Sequence, residues 1–569
     1  MSILFCVFDL KGLSYIYMES LAKNTVFNEQ GTDVHTSCMQ RYSELQTSYE
    51  HKNIEMIEYK TKANYWEAQF RQLKTREEEL VSEVEELKAQ LRKREQELFG
   101  TSSEKNKKTQ DSHPQLKSDP SKRNRGQQPG SKGHGRRDYD HLPIIEVEEL
   151  ELINESARCP CCHKPYKELP GYAESDIVEI DVQAHRRLIR RKNYKRSCSC
   201  KKNPDPQIVS APAIERLLPK SKLGISIWAL LLLKKYEYQQ PINRTLDELS
   251  GHGLSLSAGT VTDGFQKLLP YFVPIYDAIV ERSVEAKHWH ADETGWKVFE
   301  TIEGKKNNNW YLWIFHNAET VVYKIHPTRS SEALLEYFGK DHDGGTLNVD
   351  RYSAYKVIAK EGLFILAFCW AHVRRDFLDH AKGYVEQETW ALSWVERIGK
   401  IYHINNERIQ HKPQSKLFYK KDVELKKAIS EMKKELSDQL TRTELLPSAR
   451  KILKSLNKHW SGLTIFVDRS EIPMDNNTAE RGLRSSVIGR KNYYGSGAIW
   501  SSELAAALFT LFKTLKLWKI NIHTWLLAYF HECALIGMPP ENISKFLPWE
   551  MSEEKRQLLS KPPEYKNSG

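Results

Sequence analysis

The chain has 569 residues, more than one hydrophobic core usually holds, so several domains are expected. Its 85 Lys+Arg against 75 Asp+Glu leave a formal net charge of +10, with the excess gathered in two blocks. No run reaches the roughly 18 apolar residues of a helical membrane span, and nine Cys are too few for a secreted disulfide scaffold, so both classes are excluded and a reducing cytoplasm is expected.

The start, MSILFCVFDLKGLSYIY, is apolar but lacks the basic n-region and small-residue cleavage site of a signal peptide, and Met18 is an alternative start to Met1. Residues 37–100 are rich in Glu, Lys, Gln and Leu, with no Pro and no Gly before Gly100. Heptads place Phe70, Val84, Leu91 and Leu98 at a, and Leu73, Leu80 and Leu87 at d, with Glu77 and Arg94 as polar exceptions. This pattern predicts a coiled coil and self-association; a single amphipathic helix packed on its own protein is the alternative.

Between Thr101 and Arg137 stand ten basic and three acidic residues in a polar stretch broken by Pro and Gly. It cannot bury enough apolar surface to fold alone and reads as a flexible linker over 101–145. Clustered Lys and Arg release counterions from phosphates, so this block, ending at Arg136 and Arg137, is a candidate DNA contact as well as a solvated tether. Next, Cys159 and Cys162 form C-x-x-C, and Cys198 and Cys200 form C-x-C, separated by β-prone sequence. Two thiolate pairs predict a tetrahedral Zn²⁺ site whose binding stabilises a small ribbon-like module over 146–212. Cys161 and His163 are substitute ligands, and unligated cysteines the alternative. The second basic block, Arg186 to Lys202, has nine basic residues and no acidic one; Arg190 and Arg191 lie within it.

Residues 213–284 turn helical. NRTLDELSGHGLSLSAGTVTDGFQKL reads as helix, turn, helix, with Ser257 as N-cap; its second helix has few basic residues, so a scaffold role is favoured over groove reading. From 285 the period changes: KHWHADETGWKVFE, NNWYLWIFHN and TVVYKIHP are strands, SSEALLEYFG a helix, GTLNVDRY and LFILAFCW further strands. This order predicts a ribonuclease H-like α/β core over 285–500, carrying a helical insertion at about 380–470. Apolar helices over 501–546 close it, and 547–569 is a tail. The fold class is therefore multidomain α+β.

Asp292 sits in the first predicted core strand, Asp350 at the end of the fourth, and Glu480 in a predicted helix, at spacings of 58 and 130 residues. Two strand-borne Asp and one helix-borne Glu suit a hard divalent cation in phosphoryl transfer. Glu293 falls on the opposite strand face and is read as structural. Asp475, ahead of Asn476 and Asn477, is read first as the N-cap of the Glu480 helix and second as a ligand.

With LFGTSSEK, RGQQPGSKGHGRR, CPCC, ADET, DRYSAY, CWAHVRRDF, DNNTAERGLR and GRKNYYGSG in this order, the chain resembles the transposases of insertion sequence 66 type, of the DDE group, from about Leu98 to Ala534. The resemblance implies an enzyme that binds the ends of a mobile element in the bacterial nucleoid, cuts the 3′ ends and joins them to target DNA. It implies Asp292, Asp350 and Glu480 as catalytic triad holding Mg²⁺ (or Mn²⁺), with small accessory proteins of the same element as partners. Arg374 and Arg375, Arg484 at i+4 from Glu480, and Arg490 with Lys491 are candidate DNA contacts; an ion pair to Glu480 is the equal alternative for Arg484. Gly295 stands where the family often has Pro. A binding protein with an inactive core and a nuclease that cuts without joining are the competing readings.

Overall fold

The structure, a computed structural model, describes residues 33–99, 161–162, 164, 184–195, 208–305, 307–339, 341–360, 364–442 and 445–563. The linker arginines Arg136 and Arg137 and three predicted zinc ligands, Cys159, Cys198 and Cys200, lie outside them. Helix α1 (Asp33–Phe99) belongs to one compact unit and the sheet with its helices to another. Over 67 residues α1 has no helix breaker, and Phe70, Leu73, Leu80, Val84, Leu87 and Leu91 are all exposed along it.

Strands β1 (Asn193–Lys195) and β2 (Ile208–Ser210) form a short antiparallel pair. Arg190 and Arg191 are exposed just before β1. Helix α2 (Ile225–Leu232) runs into a π-helical turn (Leu233–Glu237); α3 (Ile242–Gly251) and α4 (Ala258–Val284) follow. Ser257 caps α4 as its sequence predicts, its hydroxyl accepting from the Thr260 amide at 3.1 Å. Val261, Phe265, Leu268 and Phe272 of α4 are buried, and this apolar face makes the helix part of the core.

The second unit is built on a five-stranded sheet in the order β5-β4-β3-β6-β7. Its strands are β3 (His288–Lys297), β4 (Asn309–His316), β5 (Val321–His326), β6 (Gly345–Val349) and β7 (Phe364–Phe368). The first three pair antiparallel through short connections, whereas β6 and β7 run parallel to β3 and to each other. Parallel neighbours need crossovers. Helix α5 (Glu332–Phe338) lies between β5 and β6, and α6 (Ser353–Lys360) between β6 and β7. Trp289, Trp313, Phe315, Val322 and Leu347 are fully buried in the strands, as near-continuous apolar runs require when both faces are covered.

After β7 come α7 (Trp370–Gly383), α8 (Glu388–Ile409), α9 (Lys416–Thr441), α10 (Pro447–Lys458) and the short α11 (Trp460–Leu463) and α12 (Ile465–Asp468). Arg408, fully buried, ties these helices together by donating to Asp422 at 2.7 Å and to the carbonyls of Val467 and Phe466 at 2.8 and 2.5 Å. The chain then re-enters the sheet unit through α13 (Asn477–Tyr493) and closes with α14 (Ile499–Leu517), α15 (Ile522–Ile536) and α16 (Glu553–Ser560).

Close approach of α13 to the sheet depends on Gly482. A Cβ there would meet Ile314 of β4 at 2.3 Å, and its carbonyl accepts from the Tyr323 hydroxyl at 2.8 Å. After α13, Gly495 takes φ +142° and Ser496 bridges to Val298 just beyond β3, with the Ser496 amide donating to Lys297 at 2.8 Å.

Candidate active site

Asp292 lies opposite Ile314 in the antiparallel register, and Glu293 opposite Trp313. Successive residues of a strand face opposite ways, so Asp292 shares the α13 face with Ile314 while Glu293 faces the other side. The parallel register pairs His290 with Asn348; two residues further on, Asp292 is level with Asp350, which follows β6 directly. Glu480 stands in the first turn of α13, close enough for its charge to act on Asp292. Strand β3, the end of β6 and α13 therefore bring the three predicted carboxylates together.

The carboxylates sense one another. Burial, then the charge of Glu293, then those of Asp350 and Glu480 push the Asp292 carboxyl up to about 7, against one stabilising hydrogen bond from the Glu293 amide. Asp350 is fixed by the Tyr352 amide, which donates to its Oδ1 at 2.8 Å. Glu293 is in the opposite situation. Its side chain is 1% exposed, Oε1 accepts from Arg329 Nε and Nη2 at 2.9 and 2.7 Å, and Oε2 accepts from the Tyr355 hydroxyl at 2.5 Å. Burial still raises the Glu293 carboxyl, but its oxygens are satisfied, in keeping with the structural role read from its strand face.

The turn before α13 is pinned to the sheet by two buried amides. Asn348 donates to the Pro473 carbonyl at 2.8 Å, and His288 Nε2 lies 2.7 Å from its Oδ1. Asn476 donates to the Ala291 carbonyl at 2.7 Å and sits 3.0 Å from His290 Nδ1. One correction follows. The N-cap of α13 is Asn476 rather than Asp475, and its side chain makes no capping bond because it is committed to β3. Asp475 Oδ1 accepts instead from the Asn477 amide at 3.1 Å.

Sequence reading did not group Cys369 and His372 with Glu480. Cys369 lies between β7 and α7 and His372 in the first turn of α7; with Glu480 they place a sulfur, a ring nitrogen and a carboxylate oxygen all within 4.8 Å of one another. His372 Nδ1 is 3.8 Å from Glu480 Oε1. The available signal was the C-x-x-H spacing inside CWAHVRRDF, a ligand spacing seen in metal sites. Asp292 and Asp350 do not share this tighter grouping.

Among the predicted DNA contacts, Arg374 and Arg375 on α7 and Arg484 and Lys491 on α13 are exposed. Arg484 forms no ion pair with Glu480 among the described residues. Arg490 is engaged by β3, donating to Thr294 Oγ1 at 3.2 Å and to the Gly295 carbonyl. Cys162, the described member of the predicted zinc set, is exposed.

A mixed sheet whose central strands bring two Asp together near a Glu-bearing helix defines an acidic core. The chain belongs to the Transposase IS66 family, whose profile matches residues 220–503. It is also similar to two proteins of Sinorhizobium fredii. Uncharacterized protein y4jD is 25% identical over 425 residues, covering 72% of this chain and 80% of its own length. Uncharacterized protein y4hP is 23% identical over 430 residues, covering 71% and 75%.

Proposed function

We propose that the protein is a DDE transposase that binds the ends of its element, cuts their 3′ ends and transfers them to target DNA. The observation that carries this reading is the convergence of Asp292, Asp350 and Glu480 from β3, β6 and α13, close enough for the other two to raise the Asp292 carboxyl. The strand order β5-β4-β3-β6-β7, with three antiparallel strands followed by two parallel ones, supports a ribonuclease H-like core.

The donor set fits a hard divalent cation. All three groups are carboxylates, and Glu480 Oε1 is buried with no hydrogen-bond partner among the described residues. Mg²⁺ or Mn²⁺ would be held by Asp292, Asp350 and Glu480 and would supply charge stabilisation to the attacking and leaving oxygens at phosphorus. The protein's own contribution is positioning. Asn476 and Asn348 lock the α13 turn to β3 and β6, Tyr352 fixes Asp350, and Gly482 lets Glu480 descend to the sheet. Arg374, Arg375 and Arg484, exposed on α7 and α13, would hold phosphates, with Lys491 further along; the exposed Arg190 and Arg191 would add a second basic strip.

The exposed apolar heptad positions of α1 support a coiled coil that pairs copies of the chain, as joining two DNA ends requires. A Zn²⁺ site at Cys159, Cys162, Cys198 and Cys200, contacts from Arg136 and Arg137, accessory proteins and residence at the nucleoid belong to the same proposal. No helix among the described residues is long and apolar enough to cross a membrane. The test is Asp350→Asn: cutting of end-bearing DNA in Mg²⁺ falls to background while end binding in a gel shift persists. Unchanged cutting would sink the triad assignment. A joined product in the same assay separates a transposase from a nuclease.

A further inference from the structure

Buried polar atoms nearly always find partners, so two exceptions that face each other need an explanation. His372 Nδ1 and Glu480 Oε1 are both buried without a hydrogen-bond partner among the described residues, 3.8 Å apart, with Cys369 Sγ within 4.8 Å of both. The separation is too long for a hydrogen bond but close to the spacing of two ligands on one small cation, whose bonds to nitrogen and oxygen are about 2.0–2.2 Å. The grouping is also built rather than incidental. Cys369 Sγ accepts from the Asn476 amide at 3.2 Å, and the next amide, Trp370, donates to the Met474 carbonyl at 2.9 Å, so the start of α7 is fastened to the turn that carries Glu480. The Trp370 indole donates to the Leu463 carbonyl at 2.6 Å and secures the same segment from behind.

We propose that Cys369, His372 and Glu480 form a second cation site, selective for a borderline-soft divalent ion of the Zn²⁺ class and sharing Glu480 with the Asp292–Asp350 pair. The donor chemistry decides the class: a thiolate and an imidazole favour Zn²⁺ over Mg²⁺, which takes oxygen ligands and dehydrates reluctantly. Cys369 releases its proton to water on binding. Three protein ligands leave a fourth position open, and His372 and Glu480 are 27% and 24% exposed, so an ion has a path inward from solvent. A Glu480 carboxylate committed to Cys369 and His372 is withdrawn from Asp292 and Asp350. Zinc at this site therefore opposes DNA cutting. The binding stands on this geometry alone; the effect on cutting rests on the reading of Glu480 given above.

The experiment uses the full-length protein, dialysed against micromolar ZnCl₂ and analysed for bound metal. Wild type and Asp350→Asn hold one more Zn²⁺ per chain than Cys369→Ser, His372→Ala or Glu480→Gln, whatever the cysteine pairs near residues 159 and 200 retain. Equal zinc in wild type, Cys369→Ser and His372→Ala overturns the site. His372 is partly exposed, so His372→Ala keeps the test open should Cys369→Ser fail to fold. In Mg²⁺-driven cutting, zinc inhibits wild type, and His372→Ala needs about tenfold more zinc or greater for the same inhibition, the scale of losing a metal-supporting group. Zinc-insensitive cutting by wild type that carries the extra ion overturns the sharing of Glu480. Cutting that survives Asp350→Asn defeats the transposase reading and leaves the zinc count standing.

Discussion

Asp292 and Glu293 are adjacent on one strand, yet their surroundings differ in kind. On the α5–α6 face, Glu293 receives two bonds from Arg329 and one from Tyr355, so both its oxygens are used. On the α13 face, among the described residues, Asp292 receives one backbone bond and Glu480 Oε1 receives none, its nearest basic group being the His372 imidazole 3.8 Å away. A buried charge that is fully paired holds a fold together, whereas one left unpaired costs stability unless something else neutralises it. The contrast marks one side of the sheet as scaffold and the other as the side on which the proposed site lies. Arg408 is bound to Asp422 and two carbonyls among the helices of the insertion, although its Nε has no hydrogen-bond partner among the described residues.

Substitutions should therefore act with opposite sign on the two faces, apart from the loss of cutting expected of Asp350→Asn, which is the largest effect. Arg329→Ala strands a buried carboxylate and should cost about 3 kcal/mol in chemical unfolding at pH 8. Asp292→Asn, in chelated buffer, should stabilise. The Asp292 carboxyl is raised from 3.8 to about 7 in the folded chain, so its contribution to stability is full below pH 4 and lost as pH rises to 7. The Tm advantage of the variant should accordingly grow between pH 4 and 7 and then level off. A destabilised Asp292→Asn protein at pH 8, or a neutral Arg329→Ala, would erase the distinction between the faces.

Much of this was legible in the sequence, and the missing parts share a cause. Turn residues and β-prone apolar runs gave all five sheet strands, and the cap-like DNN ahead of TAERGLR pointed to the helix of Glu480. Local pattern could not supply partners contributed by distant segments. Arg329 and Tyr355 reach Glu293 across 36 and 62 residues, and Cys369 and His372 reach Glu480 from the other side of the insertion. The cap assignment failed for a related reason: Asn476, not Asp475, occupies the N-cap position, and its amide is held by the distant Ala291 carbonyl of β3. Likewise Arg484 has the i+4 spacing for an ion pair with Glu480, but it is exposed on α13, so spacing alone did not decide its partner.

A smaller effect probes how far the ligand face depends on neutral imidazoles. Burial, with the nearby His288, lowers His290 to about 3, and burial lowers His316 to about 4, both from 6.5. Each then favours folding fully above pH 6.5 and loses that contribution as pH falls toward 3 and 4, because the unfolded chain takes up the proton first. Stability should decline below pH 6.5 by as much as about 1.4 kcal/mol per pH unit for each group. His316→Asn should flatten the slope between pH 6.5 and 4; an unchanged slope would mean that His316 titrates normally in the folded protein.

The finest test concerns the exposed arginines on the ligand face. Arg484 is unpaired among the described residues and lies one helical turn beyond Glu480, whereas Arg490 already donates to Thr294 and Gly295. If Arg484 meets a phosphate, Arg484→Ala should lower the slope of log affinity against log salt by about 0.9, roughly one released counterion, and weaken all DNA sequences alike. Arg490→Ala should instead lower thermal stability, since it releases a β3 carbonyl that its guanidinium now satisfies. Identical salt slopes for wild type and Arg484→Ala would leave that arginine as a solvated residue and move the DNA path toward Arg374 and Arg375 on α7.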